Sequence, residues 1–151
     1  MKHKTKSILD KRDDDHTQLL NNLTVLIVDD EPMIRTLVKR EFSNYGCQVI
    51  EAENALDAAF ILEERKIDVV ISDVRMEGGD GDELLKIIGP HETRRDKGPV
   101  VIMMSGYSVL TSDQAEKYGA DALLQKPLSV KLLPAFVSRF LRARLAPEAS
   151  R

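Results

Sequence analysis

Ile67-Asp68-Val69-Val70-Ile71-Ser72-Asp73 is a short, β-branched apolar run that ends in a carboxylate. A run of this length and composition is typical of a strand buried on both faces of a parallel sheet. Two further runs have polar ends: 24–28 is followed by Asp29-Asp30, and 122–124 is followed by Lys126-Pro127. If all three are parallel strands of one sheet, three carboxylates and one ammonium meet at one edge. Such an edge would suit a divalent cation and a phosphoryl group.

The composition fits a single globular domain. The chain has 151 residues, 42% of them hydrophobic, and roughly 100–200 residues per domain is usual. Its 22 basic and 25 acidic residues give a net charge of −3, which does not indicate nucleic-acid binding. The single cysteine, Cys47, excludes an internal disulfide and suits a reducing compartment. With no secretory signal and no apolar run of about 18 residues, we expect a cytoplasmic protein that binds no membrane.

The apolar content of the chain and its periodicity change at residue 23. Residues 1–22 are polar with few large apolar groups, so we expect a flexible N-terminal tail. In residues 23–146, short apolar runs alternate with segments whose apolar residues recur at helical spacing. Residues 147–151 would form a short C-terminal tail. The runs interpreted as strands are 24–28, 48–50, 68–72, 99–104 and 122–124.

This alternation predicts an α/β fold with a doubly wound, five-stranded parallel sheet, because strand–helix units joined by right-handed crossovers cover both faces. Binding sites in such sheets form outside the carboxyl ends of the strands. A single aspartate there could simply cap a helix, but a cap requires neither a lysine nor a hydroxyl nearby. The polar residues expected together on this rim are Asp29, Asp30, Asp73, Ser105 and Lys126.

The residue types on the rim indicate phosphoryl transfer. Mg²⁺ prefers oxygen ligands and keeps several waters, so two carboxylates and a backbone carbonyl would be a typical protein contribution. Beside the metal, the Asp73 carboxylate could attack a phosphoryl donor in line. The metal, the Lys126 ammonium and the Ser105 hydroxyl would stabilise the charge that develops on the phosphoryl oxygens. The expected product is an acyl phosphate on Asp73.

Five motifs give the chain a more specific resemblance. They are V-L-I-V-D-D-E (25–31), I-S-D-V-R-M (71–76), D-G (80–81), M-S-G-Y (104–107) and G-A-D-A-L-L-Q-K-P-L (119–128). In this order and at these separations, they resemble a receiver domain of two-component signalling, the flavodoxin-like module of bacterial response regulators. The resemblance covers residues 23 to about 145 and is to a stand-alone, chemotaxis-regulator-like receiver. It implies a (βα)5 sheet with strand order 2-1-3-4-5.

The resemblance also implies a metal site. Asp73 would be the phosphoacceptor and would bind Mg²⁺ (or Mn²⁺) together with Asp30. Asp29 would act largely through water, and Arg75 would provide a backbone carbonyl to the metal. This assignment makes four residues of the chain responsible for the metal.

For the phosphoryl group, the resemblance implies contacts from Ser105 and Lys126, with a cis Lys126-Pro127 bond. The donor would be a histidine kinase or a histidine phosphotransfer protein. Because few residues follow the domain, the output would go to a downstream protein target and not to nucleic acid. The protein would not be an enzyme beyond catalysing its own phosphorylation and dephosphorylation.

Several residues depart from the family pattern, and two other functions share features with this sequence. Leu123 replaces the usual aromatic switch residue, which suggests a non-switching receiver-fold interaction module as the alternative. A haloacid-dehalogenase-type phosphatase would need a second aspartate two residues after Asp73, where this chain has Arg75. The other departures are Glu77, Gly78-Gly79, Pro134, which would kink the last helix or delay its start, and a long charged loop at 90–99.

Overall fold

The computed structural model describes residues 18–76, 81–89, 98–106, 113, 116, 119–126 and 129–145. Within these ranges, strands and helices alternate as the sequence predicts. The strands are β1 (Thr24–Val28), β2 (Gln48–Ala52), β3 (Val69–Asp73), β4 (Val100–Ser105) and β5 (Ala122–Gln125). The helices are α1 (Pro32–Ser43), α2 (Ala55–Glu64), α3 (Gly81–Ile88) and α4 (Leu133–Leu145), the last preceded by a 3-10 turn at Val130–Leu132.

The five strands form one parallel sheet in the order β2-β1-β3-β4-β5. The predicted α/β class, parallel sheet and strand order are therefore confirmed. The order places β1 and β3 side by side at the centre, so the residues that follow β1 and end β3 become neighbours. β4 and β5 continue the sheet on the β3 side.

Two apolar cores cover the two faces of the sheet. The first lies under α2 and α3, and the second lies under α1 and α4. Alternate residues of β1 belong to different cores: Leu26 and Val28 face the first, whereas Val25 and Ile27 face the second. This division follows from the period of two of a strand, whose successive side chains point to opposite faces.

Local chemistry sets several helix boundaries. Pro32 begins α1, where its missing N–H costs no hydrogen bond. Asn54 caps α2, since its side chain accepts a hydrogen bond from the N–H of Asp57 at 2.9 Å. Pro134 is the second residue of α4, so it lies in the first turn and leaves the rest of the helix uninterrupted. Of the two outcomes expected for Pro134, the later helix start is the one observed.

The packed chain begins before residue 23, the predicted start of the domain. Leu20 is completely buried and belongs to the second core. Its carbonyl accepts a hydrogen bond from the Cys47 thiol at 3.2 Å, and the Asn22 N–H donates to the Gly46 carbonyl at 3.0 Å. A single buried leucine in a polar stretch has no periodic neighbours, which is why the sequence pattern did not reveal it.

Some predicted features lie outside the described residues. They are residues 1–17, Glu77 with Gly78-Gly79, the loop at 90–97, Tyr107, Pro127 with its peptide bond, and the C-terminal tail at 147–151. Of residues 113–118, Asp113 and Glu116 are described, and both are helical. Among the described helices, none has the length and apolar character needed to cross a membrane.

Candidate functional site

The register between β1 and β3 brings two of the predicted site residues together. Val28 on β1 is the partner of Ser72 on β3. The residues that follow this pair, Asp29 and Asp73, therefore lie side by side at the carboxyl edge of the sheet. Asp29 is completely buried and Asp73 nearly so.

The register on the other side of β3 adds a hydroxyl and an ammonium. Asp73 is the partner of Met104 on β4, so Ser105 lies one residue further along the same edge. Ser105 is in turn the partner of Gln125, the last residue of β5, and Lys126 follows directly. The Lys126 N–H donates to the Ser105 carbonyl at 2.7 Å, which ties the two strand ends together.

The Lys126 ammonium joins the two central carboxylates. Its Nζ lies 3.1 Å from Asp73 Oδ2 and 3.3 Å from Asp29 Oδ2. The second oxygen of Asp29 accepts a hydrogen bond from the Glu31 N–H at 2.9 Å. Asp29 is thus held from both sides, whereas Asp73 Oδ1 has a longer contact, 3.4 Å, with the Arg75 N–H.

The burial of this cluster changes its acid–base behaviour. Burial raises the pKa of the Asp29 carboxyl, and the hydrogen bond from Glu31 and the charge of Lys126 offset this effect only in part. Burial alone would lower the pKa of Lys126. The hydrogen bond to Asp73 and the charges of both aspartates outweigh it, so the pKa of Lys126 is raised. Lys126 therefore stays charged at neutral pH.

A cavity of about 350 Å³ opens at this edge of the sheet. It contains most of the predicted site: Asp73 and Ser105 from strand ends, Lys126 after β5, and Asp30 and Arg75 on its more exposed side. Asp29 does not line the cavity but lies behind it, against Lys126. The residues that line the cavity are Asp30, Glu31, Asp73, Val74, Arg75, Ser105, Gly106 and Lys126.

The donor set fits a hard cation. Carboxylate oxygens of Asp29, Asp30 and Glu31 all lie within 4.8 Å of one another. Asp73 lines the cavity with Asp30 and Glu31 and shares the Lys126 ammonium with Asp29, so the negative charges of these carboxylates repel one another. Carboxylates are the ligands that Mg²⁺ uses in proteins, and a bound divalent cation would relieve the repulsion. The residues present therefore suit Mg²⁺.

Two residues of this region were not singled out from the sequence. Glu31 lines the cavity directly after the predicted acidic pair. Arg35, one turn into α1, donates from its guanidinium to the Asp29 carbonyl at 2.8 Å. The sequence pattern gave little indication of a role for Arg35, because a basic residue on an amphipathic helix usually faces solvent. Only the packing of α1 brings its side chain to the end of β1.

Comparison with known proteins agrees with this geometry. The family model described as "Response regulator receiver domain" matches residues 25–138. Sporulation initiation phosphotransferase F of Bacillus subtilis is 33% identical over 121 residues, which are 80% of this chain and 94% of that protein. Regulatory protein AtoC of Escherichia coli is 34% identical over 118 residues, 78% of this chain but only 25% of its own length.

A solved structure supports the same relationship. The receiver domain protein of Methanospirillum hungatei, described as CheY-like, superposes with a TM-score of 0.72 at 27% identity, covering 83% of this chain and 98% of that one. Receiver domains act as signalling switches of response regulators and are phosphorylated on aspartate. This chain belongs to the response regulator receiver domain family of two-component signal transduction.

Proposed function

We propose that the protein is a phosphorelay switch that accepts a phosphoryl group on Asp73. The observation that carries the proposal is the placement of Lys126, whose Nζ lies 3.1 Å from Asp73 Oδ2 at a cavity that Ser105 also lines. Asp73 is the carboxylate of the rim that both ends a strand and opens into this cavity beside the ammonium. It is therefore placed as the nucleophile.

In the proposed reaction, a carboxylate oxygen of Asp73 forms a bond to phosphorus while the bond from phosphorus to the donor nitrogen or oxygen breaks. The donor side chain leaves with that electron pair, and an acyl phosphate remains on Asp73. Lys126 and the Ser105 hydroxyl would contact the phosphoryl oxygens and stabilise their growing negative charge. Lys126 is already charged for this role, since its pKa is raised.

We propose that Mg²⁺ (or Mn²⁺) is held by Asp30, Asp73 and the backbone carbonyl of Arg75, with Asp29 acting largely through water. The burial of Asp29 behind the cavity supports an indirect role for this carboxylate. When bound, the cation would neutralise part of the charge on the transferring phosphoryl group.

The proposed partners are a histidine kinase or a histidine phosphotransfer protein as donor and a downstream protein as target. The similarity to sporulation initiation phosphotransferase F, along nearly its whole length, supports a relay role. Residues 23–146, with the packed residues from Leu20 onward, would form the receiver, in a cytoplasmic protein that signals through protein contacts. Catalysis would be limited to the protein's own phosphorylation and dephosphorylation.

A non-switching interaction module is the second candidate, favoured by Leu123. This residue is half-buried and packs against the first core, and its partner in the sheet is Met103 on β4. It has no hydroxyl and less area than an aromatic side chain to expose or bury, so it can contribute little to a two-state switch. The two candidates differ in whether Asp73 accepts phosphate at all.

The test is intact-mass analysis after incubation with acetyl phosphate and Mg²⁺. We expect the wild type to gain one phosphoryl group, and Asp73→Asn to remain folded but gain none. Asp57→Asn, which removes an exposed carboxylate on α2, is the matched control and should gain phosphate like the wild type. Phosphorylation of Asp73→Asn to the wild-type extent would show that the nucleophile is elsewhere, and an unmodified wild type would favour the interaction module.

A further inference from the structure

Arg35 lies directly behind the acidic edge of the sheet. Its side chain is only 12% exposed, although it is a charged residue on a surface helix. One guanidinium nitrogen, Nη1, donates to the backbone carbonyl of Asp29 at 2.8 Å. A charged donor buried against a backbone carbonyl forms a stronger hydrogen bond than a neutral one, so this contact holds the end of β1 firmly.

The carbonyl that Arg35 contacts belongs to the peptide that joins Asp29 to Asp30. A peptide unit is planar, so a hydrogen bond that fixes its oxygen also fixes its N–H and the Cα of Asp30. Asp30 is the exposed carboxylate proposed as a direct metal ligand, and its side chain starts from that Cα. The contact therefore fixes the backbone position from which the Asp30 carboxylate reaches the cavity.

The guanidinium is itself anchored at the edge of the sheet. Its Nε lies 3.4 Å from Glu51 Oε1, an ion-pair distance without hydrogen-bond alignment, and its Nη2 lies 3.9 Å from Glu53 Oε1. Glu51 is on β2 and Glu53 follows that strand. Lys39 also pairs with Glu51, at 3.8 Å, but is more than half exposed. Arg35 thus connects α1, the end of β1 and the end of β2.

We propose that Arg35 is a positioning residue of the metal site: it orients the Asp29–Asp30 peptide so that the Asp30 carboxylate is placed for Mg²⁺. The inference rests on the proposed function of this edge of the sheet. Mg²⁺ requires near-ideal octahedral geometry, so a ligand that is free to rotate binds it less well than one held in place. Outer-shell partners of metal ligands typically contribute a factor of about 10–100 in affinity.

Positioning and simple electrostatics predict opposite effects for the loss of Arg35. A positive charge near a cation site repels the cation, so its removal would by Coulomb's law strengthen Mg²⁺ binding. If Arg35 acts by holding the peptide, its removal weakens Mg²⁺ binding despite the lost repulsion. The sign of the change therefore distinguishes the two roles.

The experiment is calorimetric titration of the metal-free protein with Mg²⁺. Arg35→Met keeps most of the aliphatic side chain but removes the donors and the charge, and we expect the Kd for Mg²⁺ to rise roughly tenfold. Arg35→Lys keeps the charge but has no planar fork to reach both the Asp29 carbonyl and Glu51, so a smaller rise is expected. Lys39→Met is the matched control, since it removes a cation that also pairs with Glu51 but does not contact Asp29.

The phosphorylation rate with acetyl phosphate provides a second measurement of the same effect. For Arg35→Met, the Mg²⁺ concentration that gives half the maximal rate should rise in parallel with Kd, whereas the rate at saturating Mg²⁺ should stay near that of the wild type. A fold that was merely loosened would lower the saturated rate as well.

The outcomes separate this inference from the proposed function. Unchanged or tighter Mg²⁺ binding in both Arg35 variants overturns the positioning role, as does an equal loss of affinity in Lys39→Met. If Arg35→Met does not fold, Arg35→Lys decides, because a pure charge effect predicts no change in its Kd. Absence of Mg²⁺ binding in the wild type, or wild-type binding in Asp30→Ala, overturns the metal site itself and the inference with it.

Discussion

Asp29 is completely buried, and burial of a charged carboxylate carries a cost in free energy. A carboxylate that is completely buried loses its hydration, which is why its pKa is raised. A salt bridge from Lys126 and a hydrogen bond from the Glu31 N–H offset part of this desolvation cost. The sequence predicts Asp29 on the rim because it follows a strand, but its burial depends on packing around the strand end, which no local pattern encodes.

Cys47 gives a prediction about pH at the same scale. Burial, and next the charge of Asp68, raise the pKa of its thiol to about 11 from the ordinary value of 9.0. The folded state therefore holds this proton more tightly than the unfolded chain. Its contribution to stability is complete below about pH 9 and is lost as the pH rises towards 11. We expect the free energy of unfolding to fall across this range, as measured by urea denaturation at a series of pH values.

The control is to compare how steeply the free energy of unfolding falls with pH in the wild type and in Cys47→Ala. Cys47→Ala also loses the hydrogen bond to the Leu20 carbonyl and some packing, so its absolute stability will differ from that of the wild type. All other titratable groups are common to the two proteins. The wild type should nevertheless lose more stability than Cys47→Ala between pH 9 and 11. Parallel curves would mean that the thiol is not held protonated by the fold.

Among the single helices, some ends follow from a local sequence signal and others do not. Asn54 belongs to a residue type that favours helix N-caps, and its side chain accepts the Asp57 N–H at the start of α2. Pro134 left two outcomes open, because the choice depends on whether a separate turn precedes the helix, and the 3-10 turn at Val130–Leu132 has no strong local sequence signal. Leu20 was missed for a similar reason, since one buried side chain creates no periodicity.

The cap at Asn54 makes a prediction for α2. Asn54→Ala leaves the Asp57 N–H without its side-chain acceptor, and such a loss typically destabilises a protein by about 1 kcal/mol. Denaturant unfolding of the variant measures the change. Asn44→Ala is the control: Asn44 also stands at a helix end, but its cap contacts are made by its backbone N–H. Equal losses in the two variants would contradict a capping role for Asn54.

At the scale of the whole molecule, the sequence predicted the sheet well because its strands are buried on both faces. Continuous apolar runs such as 69–71 are the pattern that this burial requires. The rim was predictable for the same reason, since the carboxyl ends of parallel strands lie together. Arg35 was not, because its contact with Asp29 depends on how α1 is rotated against β1 and β2.

The two cores give a stability prediction for the whole domain. Leu26 is completely buried in the first core, so Leu26→Ala should lower the free energy of unfolding by about 2–5 kcal/mol. Leu56→Ala removes the same atoms from a side chain that is 63% exposed, and we expect a change within about 0.5 kcal/mol. Chemical denaturation of both variants measures the difference. A similar cost at both positions would contradict the assignment of the core.

Reductive trapping identifies the residue that carries the phosphoryl group, which we propose to be Asp73. Borohydride cleaves an acyl phosphate and reduces the carboxyl carbon to an alcohol, so a phosphorylated aspartate becomes homoserine. After treatment with acetyl phosphate and Mg²⁺, borohydride reduction and peptide mapping by mass spectrometry should find homoserine at position 73. Without Mg²⁺, or in Asp73→Asn, that product should be absent. Homoserine at Asp30 or at another carboxylate, with Asp73 unmodified, would contradict the account.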